Sequence, residues 1–359
     1  MSLIHMDFPS GQPGLYDSTS YMLNGLYGET SFSFVTEDPD TNITGKVILL
    51  SGSSNFDGVV RFALPSSQAT CGIASRVWLP SLPSGNGDNP LIHQFRTAGN
   101  GVLVSILVRP NGGLAAYEGG DNTNWAGGTL LGETSGPALV ANAWQHVETK
   151  MFRSATVGTV EIRVEGVTVL TLTGQNTGAS DIGIISHQNS FSSSGVGLSY
   201  YLKDIVYWNG AGTQNNNFLG SVQVFELLTT SDVSFNWGAS TGSTGYNLLD
   251  ESPPNDNTDY IYAVDPAPAA SIFGLSNLPA DVTTVKGLYA VVRSSKTDGG
   301  DGNLQVGMVS GVSTGLGSDR PITTAYTYWT DMFEVDPATS AAWTPIAVDA
   351  SQLQLDRTV

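Results

Sequence analysis

The stretch from Trp144 to Gly174, WQHVETKMFRSATVGTVEIRVEGVTVLTLTG, limits this chain's folds more than any other. It predicts three consecutive β-strands, Trp144–Phe152, Gly158–Glu165 and Val167–Thr173. In the second, Val160, Ile162 and Val164 alternate with Glu161, Arg163 and Glu165, the period of a strand with one buried and one solvated face. Glu165-Gly166 supplies a tight turn, because glycine accepts the positive φ that a two-residue hairpin needs. An antiparallel sheet follows from these residues alone.

The same signals recur along the chain. Strands are expected at Val47–Leu50, Gly58–Leu64, Gly72–Leu79, Leu91–Arg96, Val102–Val108, Leu114–Tyr117, Leu130–Glu133, Ile182–His187, Gly197–Trp208 and Gly220–Leu227. Arg109-Pro110-Asn111-Gly112-Gly113 is a hairpin turn. Further on, Val285–Arg293 and Leu304–Val312 flank a glycine-rich tip, Ser294–Asn303, read as a hairpin. Thr323–Val335 is a long aromatic strand broken by Asp336-Pro337, and Trp343–Val348 is a last short strand. No amphipathic helical pattern of ten or more residues is present. With 42 glycines and only 13% charged residues in 359, an all-β protein is expected. Its parts are an N-terminal docking arm (1–45), a jelly-roll sandwich (46–228) and a smaller antiparallel β module (229–359).

Charge excludes several partners. A net charge of −18 with 14 Lys+Arg repels nucleic acid and anionic membrane surfaces. No apolar run approaches the roughly 20 residues that span a bilayer. The N-terminal residues lack the pattern of a Sec signal, so synthesis in a host cytoplasm without one is expected. Cys71 is the sole cysteine and reads as a small core residue.

Two resemblances follow from particular residues. Ala143-Trp144-Gln145-His146-Val147-Glu148, then Gly158-Thr159-Val160-Glu161-Ile162-Arg163-Val164-Glu165-Gly166, resemble the laminin-G-like, concanavalin A-like jelly-roll family. Leu202-Lys203-Asp204-Ile205-Val206-Tyr207-Trp208 is similar to that family's closing strand. The family serves lectins, glycanases and adhesion modules alike. Asn217–Val224, Asp250–Ile261 and Asp336–Thr344 resemble segments of tailed-phage and gene-transfer-agent virion proteins. That resemblance implies a tail, fibre or head-surface component whose partners are other virion proteins or a host-surface polysaccharide. Exposed strand edges and the analogy with fibres imply a homo-oligomer, with a trimer preferred.

Chemistry has little foothold. The nearest match to a glucanase strand is Glu161-Ile162-Arg163-Val164-Glu165, with Arg163 where the central Asp belongs and expected to pair with both glutamates. A strand rise of ~3.3 Å puts the two glutamates roughly 13 Å apart, beyond the about 5–9.5 Å of a glycosidase pair. The histidines, His5, His93, His146 and His187, lack zinc spacing. Calcium stays an alternative at Asp256 and Asp259, at Asp298 and Asp301, or in the loop of Asp121, Asn122 and Asn124; otherwise no cofactor is expected. Trp125 in that same loop, among Asp121, Asn122 and Asn124, pairs an aromatic face with hydroxyl-binding groups and is the candidate glycan site. The expectation is a non-enzymatic virion protein with a lectin-like jelly roll. A glycan-degrading depolymerase and a purely structural capsid or tail component are the alternatives.

Overall fold

A computed structural model describes residues 3–7, 32–35, 39, 47–50, 59–84, 90–119, 128–189, 198–251, 254–264 and 268–358. The protein is all-β: a jelly-roll sandwich followed by a smaller antiparallel β module. The two units divide at Val224/Phe225.

Among the described residues the first unit carries fourteen strands: β1 (Leu3–Asp7), β2 (Phe32–Val35), β3 (Val47–Leu50), β4 (Val59–Gln68), β5 (Thr70–Trp78), β6 (Leu91–Arg96) and β7 (Val102–Val108). They continue as β8 (Leu114–Glu118), β9 (Thr129–Glu133), β10 (Trp144–Phe152), β11 (Gly158–Val164), β12 (Val167–Gln175), β13 (Ile182–Gln188) and β14 (Tyr200–Asn209). The first sheet runs β12-β11-β10-β5-β14-β3-β2, with β1 also on β14. The second runs β4-β13-β6-β7-β8-β9, and all pairs are antiparallel. Of the expected arm, Leu3–Asp7 and Phe32–Val35 are strands of the first sheet; the rest of it, apart from residue 39, lies outside the described residues.

The organising stretch forms as its pattern dictates. Val160, Ile162 and Val164 are buried while Glu161 and Arg163 stay half-exposed. Glu165 and Gly166 both take positive φ, 48° and 77°, as a primed two-residue turn requires. Val147, Thr149 and Met151 of β10 turn into the core with Ile73 of β5, Val104 of β7 and Ile185 of β13.

Gly220–Leu227 is not a strand. Instead, the chain after β14 lies against the outer face of the first sheet. Its backbone donors go to side chains: Leu219 and Gly220 N–H donate to Glu148 Oε1 at 2.7 and 3.2 Å, and Val224 N–H to Asp204 Oδ1 at 2.9 Å. Donors spent on carboxylates cannot build a ladder. Arg163 also departs from expectation. Among the described residues it pairs with Glu161, at 2.8–2.9 Å, and not with Glu165, and it stacks on Phe218, while Glu165 accepts from His146 N–H and Ser221.

The second unit has β15 (Thr229–Ser234), β16 (Gly238–Ala239), β17 (Ile261–Tyr262), β18 (Ser271–Leu275) and β19 (Leu288–Ser294). After them come β20 (Asn303–Ser310), β21 (Ser313–Leu316), β22 (Arg320–Pro321), β23 (Thr327–Phe333) and β24 (Gln352–Thr358). One sheet is ordered β15-β18-β24-β20-β21, with β22 on β20; β16–β17 and β19–β23 form two-stranded ribbons. Phe273, Leu304, Val306 and Leu355 centre its core. Two expectations fail here. Ser294–Asn303 is not a hairpin tip, since β19 pairs with β23 and β20 with β24. Trp343–Val348 is not a strand. Thr344 Oγ1 accepts from Ala347 N–H at 3.1 Å and Pro345 opens a short helix, α1 (Pro345–Asp349).

Candidate functional site

The side to which each residue of the second sheet points is fixed by its histidines. On β6, His93 reaches across the sandwich to Ser75 Oγ (3.0 Å) and Thr149 Oγ1 (2.8 Å) of the first sheet. On β13, His187 donates from Nδ1 to the Ile92 carbonyl at 2.6 Å and meets the Tyr207 hydroxyl of β14 at 3.2 Å. Both face the core, so their neighbours Gln94 and Ser186 face away from it.

Register then places five polar residues in one line across five strands. Arg61 of β4 pairs with Ser186, Ser186 with Gln94, Gln94 with Ser105 of β7, and Ser105 with Tyr117 of β8. Ser186 Oγ donates to Gln94 Oε1 (3.0 Å), and Gln94 Nε2 donates to Ser105 Oγ (2.8 Å). Arg96, two residues along β6, donates from Nε to Gln94 Oε1 (2.6 Å) and from its terminal nitrogen to the backbone and side-chain oxygens of Asn100. All of these row residues are at most 9% exposed. Buried polar groups are stable only when bonded, and at the centre of the row Ser186, Gln94, Ser105 and Arg96 bond one another.

Solvent reaches the row at its β8–β9 end. There Arg109 stands 3.4 Å from the Tyr117 hydroxyl and 3.4 Å from the Glu133 carboxylate, with side chains 24% exposed at Arg109 and 48% at Glu133. The turn that follows Arg109 matches the sequence expectation. Gly112 has φ 79° and its N–H donates to the Arg109 carbonyl, and Asn111 Oδ1 accepts from Gly113 N–H. Arg109, Tyr117 and Glu133 thus offer a guanidinium donor, an aromatic hydroxyl and a carboxylate acceptor within one small area.

The sequence singled out none of these residues. Its candidates Asp121, Asn122, Asn124 and Trp125 lie outside the described residues, but they belong to the connection from β8 to β9, whose ends Glu118 and Thr129 are register partners. That connection joins the strands that carry Tyr117 and Glu133.

The first sheet's outer face is also polar, and the chain closes it. Arg76 meets Asp204 at 3.1 Å and donates to Ser221 at 2.9 Å; Lys203 lies over the Trp144 ring; Lys150 donates to Asn217. Burial pushes the Asp204 carboxyl up against the pull of Val224 N–H, Arg76 and Lys203. Burial, helped by the Arg76 charge, lowers His146 to about 3; burial alone, against the Ile92 hydrogen bond, lowers His187 to about 4. His93 falls well below the usual range through burial and its neighbours His187 and His146. Cys71 is buried in β5, and its thiol is driven up by burial.

The remaining candidates lie in the second unit. Asp256, at φ 56°, holds the Arg293 guanidinium with both carboxylate oxygens. Asp259 is near Glu251, whose carboxyl is raised by burial and then by Asp259 and Asp250. Asp298 Oδ1 accepts from Gly300 N–H within its own turn. Among the described residues no group of three or more His, Cys, Asp or Glu is arranged to hold a metal ion.

No protein-family model and no curated protein matches this chain. Among solved structures it is similar to the cellulose-induced protein Cip1, at 12% identity over 58% of this chain and 96% of that one, with a TM-score of 0.42. It is also similar to an endo-β-1,4-glucuronan lyase from the fungus Trichoderma reesei (12%, covering 54% and 90%, TM-score 0.38). A third is the carbohydrate binding module CBM66 from Bacillus subtilis (12%, 50% and 96%, TM-score 0.31).

Proposed function

We propose that the first unit is a saccharide-binding module, and that Arg109 and Glu133 form its solvent-facing contact, with the buried Tyr117 hydroxyl behind Arg109. The observation that supports this most is the polar row from Arg61 to Tyr117, set on the face of the second sheet turned away from the core. Hydroxyl-rich ligands are recognised by planar donors and acceptors held rigidly, with an aromatic surface beside them. Gln94, bonded on both sides, fixes that geometry from behind. The Asp121–Trp125 segment belongs to the connection between β8 and β9, the strands that carry Tyr117 and Glu133.

The proposal extends to binding without cleavage and to a place on a virion surface, where the saccharide would be a host polysaccharide. The virion setting rests on the segments Asn217–Val224, Asp250–Ile261 and Asp336–Thr344.

A glycan array with the full chain tests the reading. Wild type should bind at least one polysaccharide, and Arg109→Ala and Tyr117→Phe should each weaken that binding about tenfold without lowering the melting temperature by more than a few degrees. Undiminished binding in both variants would remove the site. Release of reducing ends from a bound polymer would turn the reading toward a depolymerase, and immunogold labelling of particles tests the virion setting.

A further inference from the structure

The second unit exposes apolar side chains where a surface strand normally carries polar ones. Ile261 packs inward against the Phe273–Leu355 core. Its alternating neighbours Tyr260, Tyr262 and Val264 are exposed by 43%, 44% and 58%. The two tyrosine rings lie 6.3 Å apart between centroids, inclined at 58°.

This stripe is held in place. A Cβ at Gly238 would fall within 2.3 Å of the Tyr262 ring, so the ring rests directly on bare backbone of the partner strand. Tyr260 N–H donates to Ser240 Oγ at 2.8 Å, and Ser240 N–H returns a bond to the Tyr260 carbonyl at 2.9 Å. The preceding turn is clamped as well. Arg293 grips Asp256, and the Tyr326 hydroxyl donates to Asn257 Oδ1 at 2.9 Å. Both rings are therefore exposed without being loose, which spares a ligand the entropy of ordering them.

The surroundings choose the ligand. Ribbon β16–β17 pairs only two residues per strand, too short an edge to template an added strand. Three side chains exposing about half their surface fall well short of the roughly 800 Å² per partner of a standard protein interface. Asp250, Glu251, Asp256 and Asp259 crowd the preceding segment, and Arg293, which reaches it, is already held by Asp256. Acidic chains are repelled from such a surface, while hydroxyl donors find acceptors beside the rings. We propose that Tyr260 and Tyr262 form a second binding site, for a neutral polysaccharide whose sugar rings stack on them.

The site is distinct from the one on the first unit, so the test silences that one first. The full chain carrying Arg109→Ala is run through native gels containing β-glucan, galactomannan or xyloglucan, beside gels containing alginate. The same comparison is made with Tyr260→Ala/Tyr262→Ala and with Tyr260→Phe/Tyr262→Phe added. At least one neutral polymer should retard the Arg109→Ala protein and alginate should not; the Ala pair should weaken association about tenfold or more, and the Phe pair, which keeps both rings, should retain it. The proposal is overturned if no neutral polymer retards the protein, if alginate retards it through these tyrosines, or if the Ala pair migrates as its parent does. Loss of retardation in the Phe pair would overturn ring stacking as the mode. Circular dichroism of each variant separates lost binding from lost fold.

Discussion

Both sheets of the first unit carry arginines and polar groups on the face away from the core, yet they treat them differently. On the first sheet, Glu148 and Asp204 accept backbone N–H groups of the segment that lies against them, and Arg76 ties Ser221 to the same surface. On the second, Gln94, Ser105, Ser186 and Arg96 bond chiefly one another, and the row ends at half-exposed Arg109 and Glu133. A carboxylate that accepts main-chain donors is serving the fold. A chain of amide, hydroxyl and guanidinium groups that leads to solvent has its last members available for a ligand.

Acid should break the comparison most strongly. His146 sits on the covered face of the first sheet, His93 and His187 in the core, and the row on the second sheet contains no histidine. In the fold His187 is held at about 4 and His146 at about 3, against ~6.5 when unfolded. The unfolded chain therefore takes up protons below pH 6.5 that the folded chain refuses. Stability is complete above pH 6.5 and falls as pH drops toward those lowered values. At roughly 1.4 kcal/mol per pH unit for each histidine, the two together should cost about 6 kcal/mol by pH 4. That is comparable with the whole stability of an ordinary domain. Urea titrations at pH 7, 6, 5 and 4 measure it. His146→Asn should flatten the slope by about one histidine's share, and an unchanged slope would show that the covered face does not hold this histidine neutral.

Next in size is Glu148→Ala. The side chain is fully buried and its Oε1 takes two backbone donors. Removing it should cost about 3 kcal/mol, since each buried donor left unmet costs ~1–3 kcal/mol. The loss should be local first: amide exchange at Leu219 and Gly220 should accelerate by about two orders of magnitude while Val160 and Ile162 stay protected. Uniform acceleration would mean that the segment and the sheet open together and that the covered face is not a separate layer.

Strand period and turn chemistry are local, so Trp144–Gly174 was legible residue by residue. The segment after Trp208 was not: Val222, Val224 and Leu227 read as a strand, and only Glu148 and Asp204, distant in sequence, reveal where its donors go. Ser294–Asn303 misled for a related reason. Two strands joined by glycines suggest a hairpin, but β19 and β20 belong to different sheets. At α1 the signal was present, Thr344 followed by Pro345, but a five-residue helix is too short to show a period. The polar row was hidden more thoroughly. All six residues of β6, Leu91 to Arg96, are buried, so its alternation separates two buried faces rather than inside from outside. Arg61, Gln94, Ser105, Tyr117 and Ser186 come from five strands and meet only through register.

Gln94→Ala gives the smallest stability change of the three and the most direct reading of that row. The substitution takes a partner from Ser105, from Ser186 and from Arg96 Nε. A cost of about 2 kcal/mol is expected, below that of Glu148→Ala because Ser105 loses only a donor, the Ser186 hydroxyl can turn to another acceptor and the Arg96 guanidinium keeps Asn100, whereas a main-chain N–H cannot turn. If the row serves a ligand at its open end, the same change should also weaken saccharide binding, through the loss of what fixes Ser105 beside Tyr117. Glu148→Ala should leave binding untouched. Equal losses of binding in the two variants would mean that the faces differ only in what covers them. A loss confined to Gln94→Ala would mean that the second sheet's polar row supports recognition and the first sheet's supports only the fold.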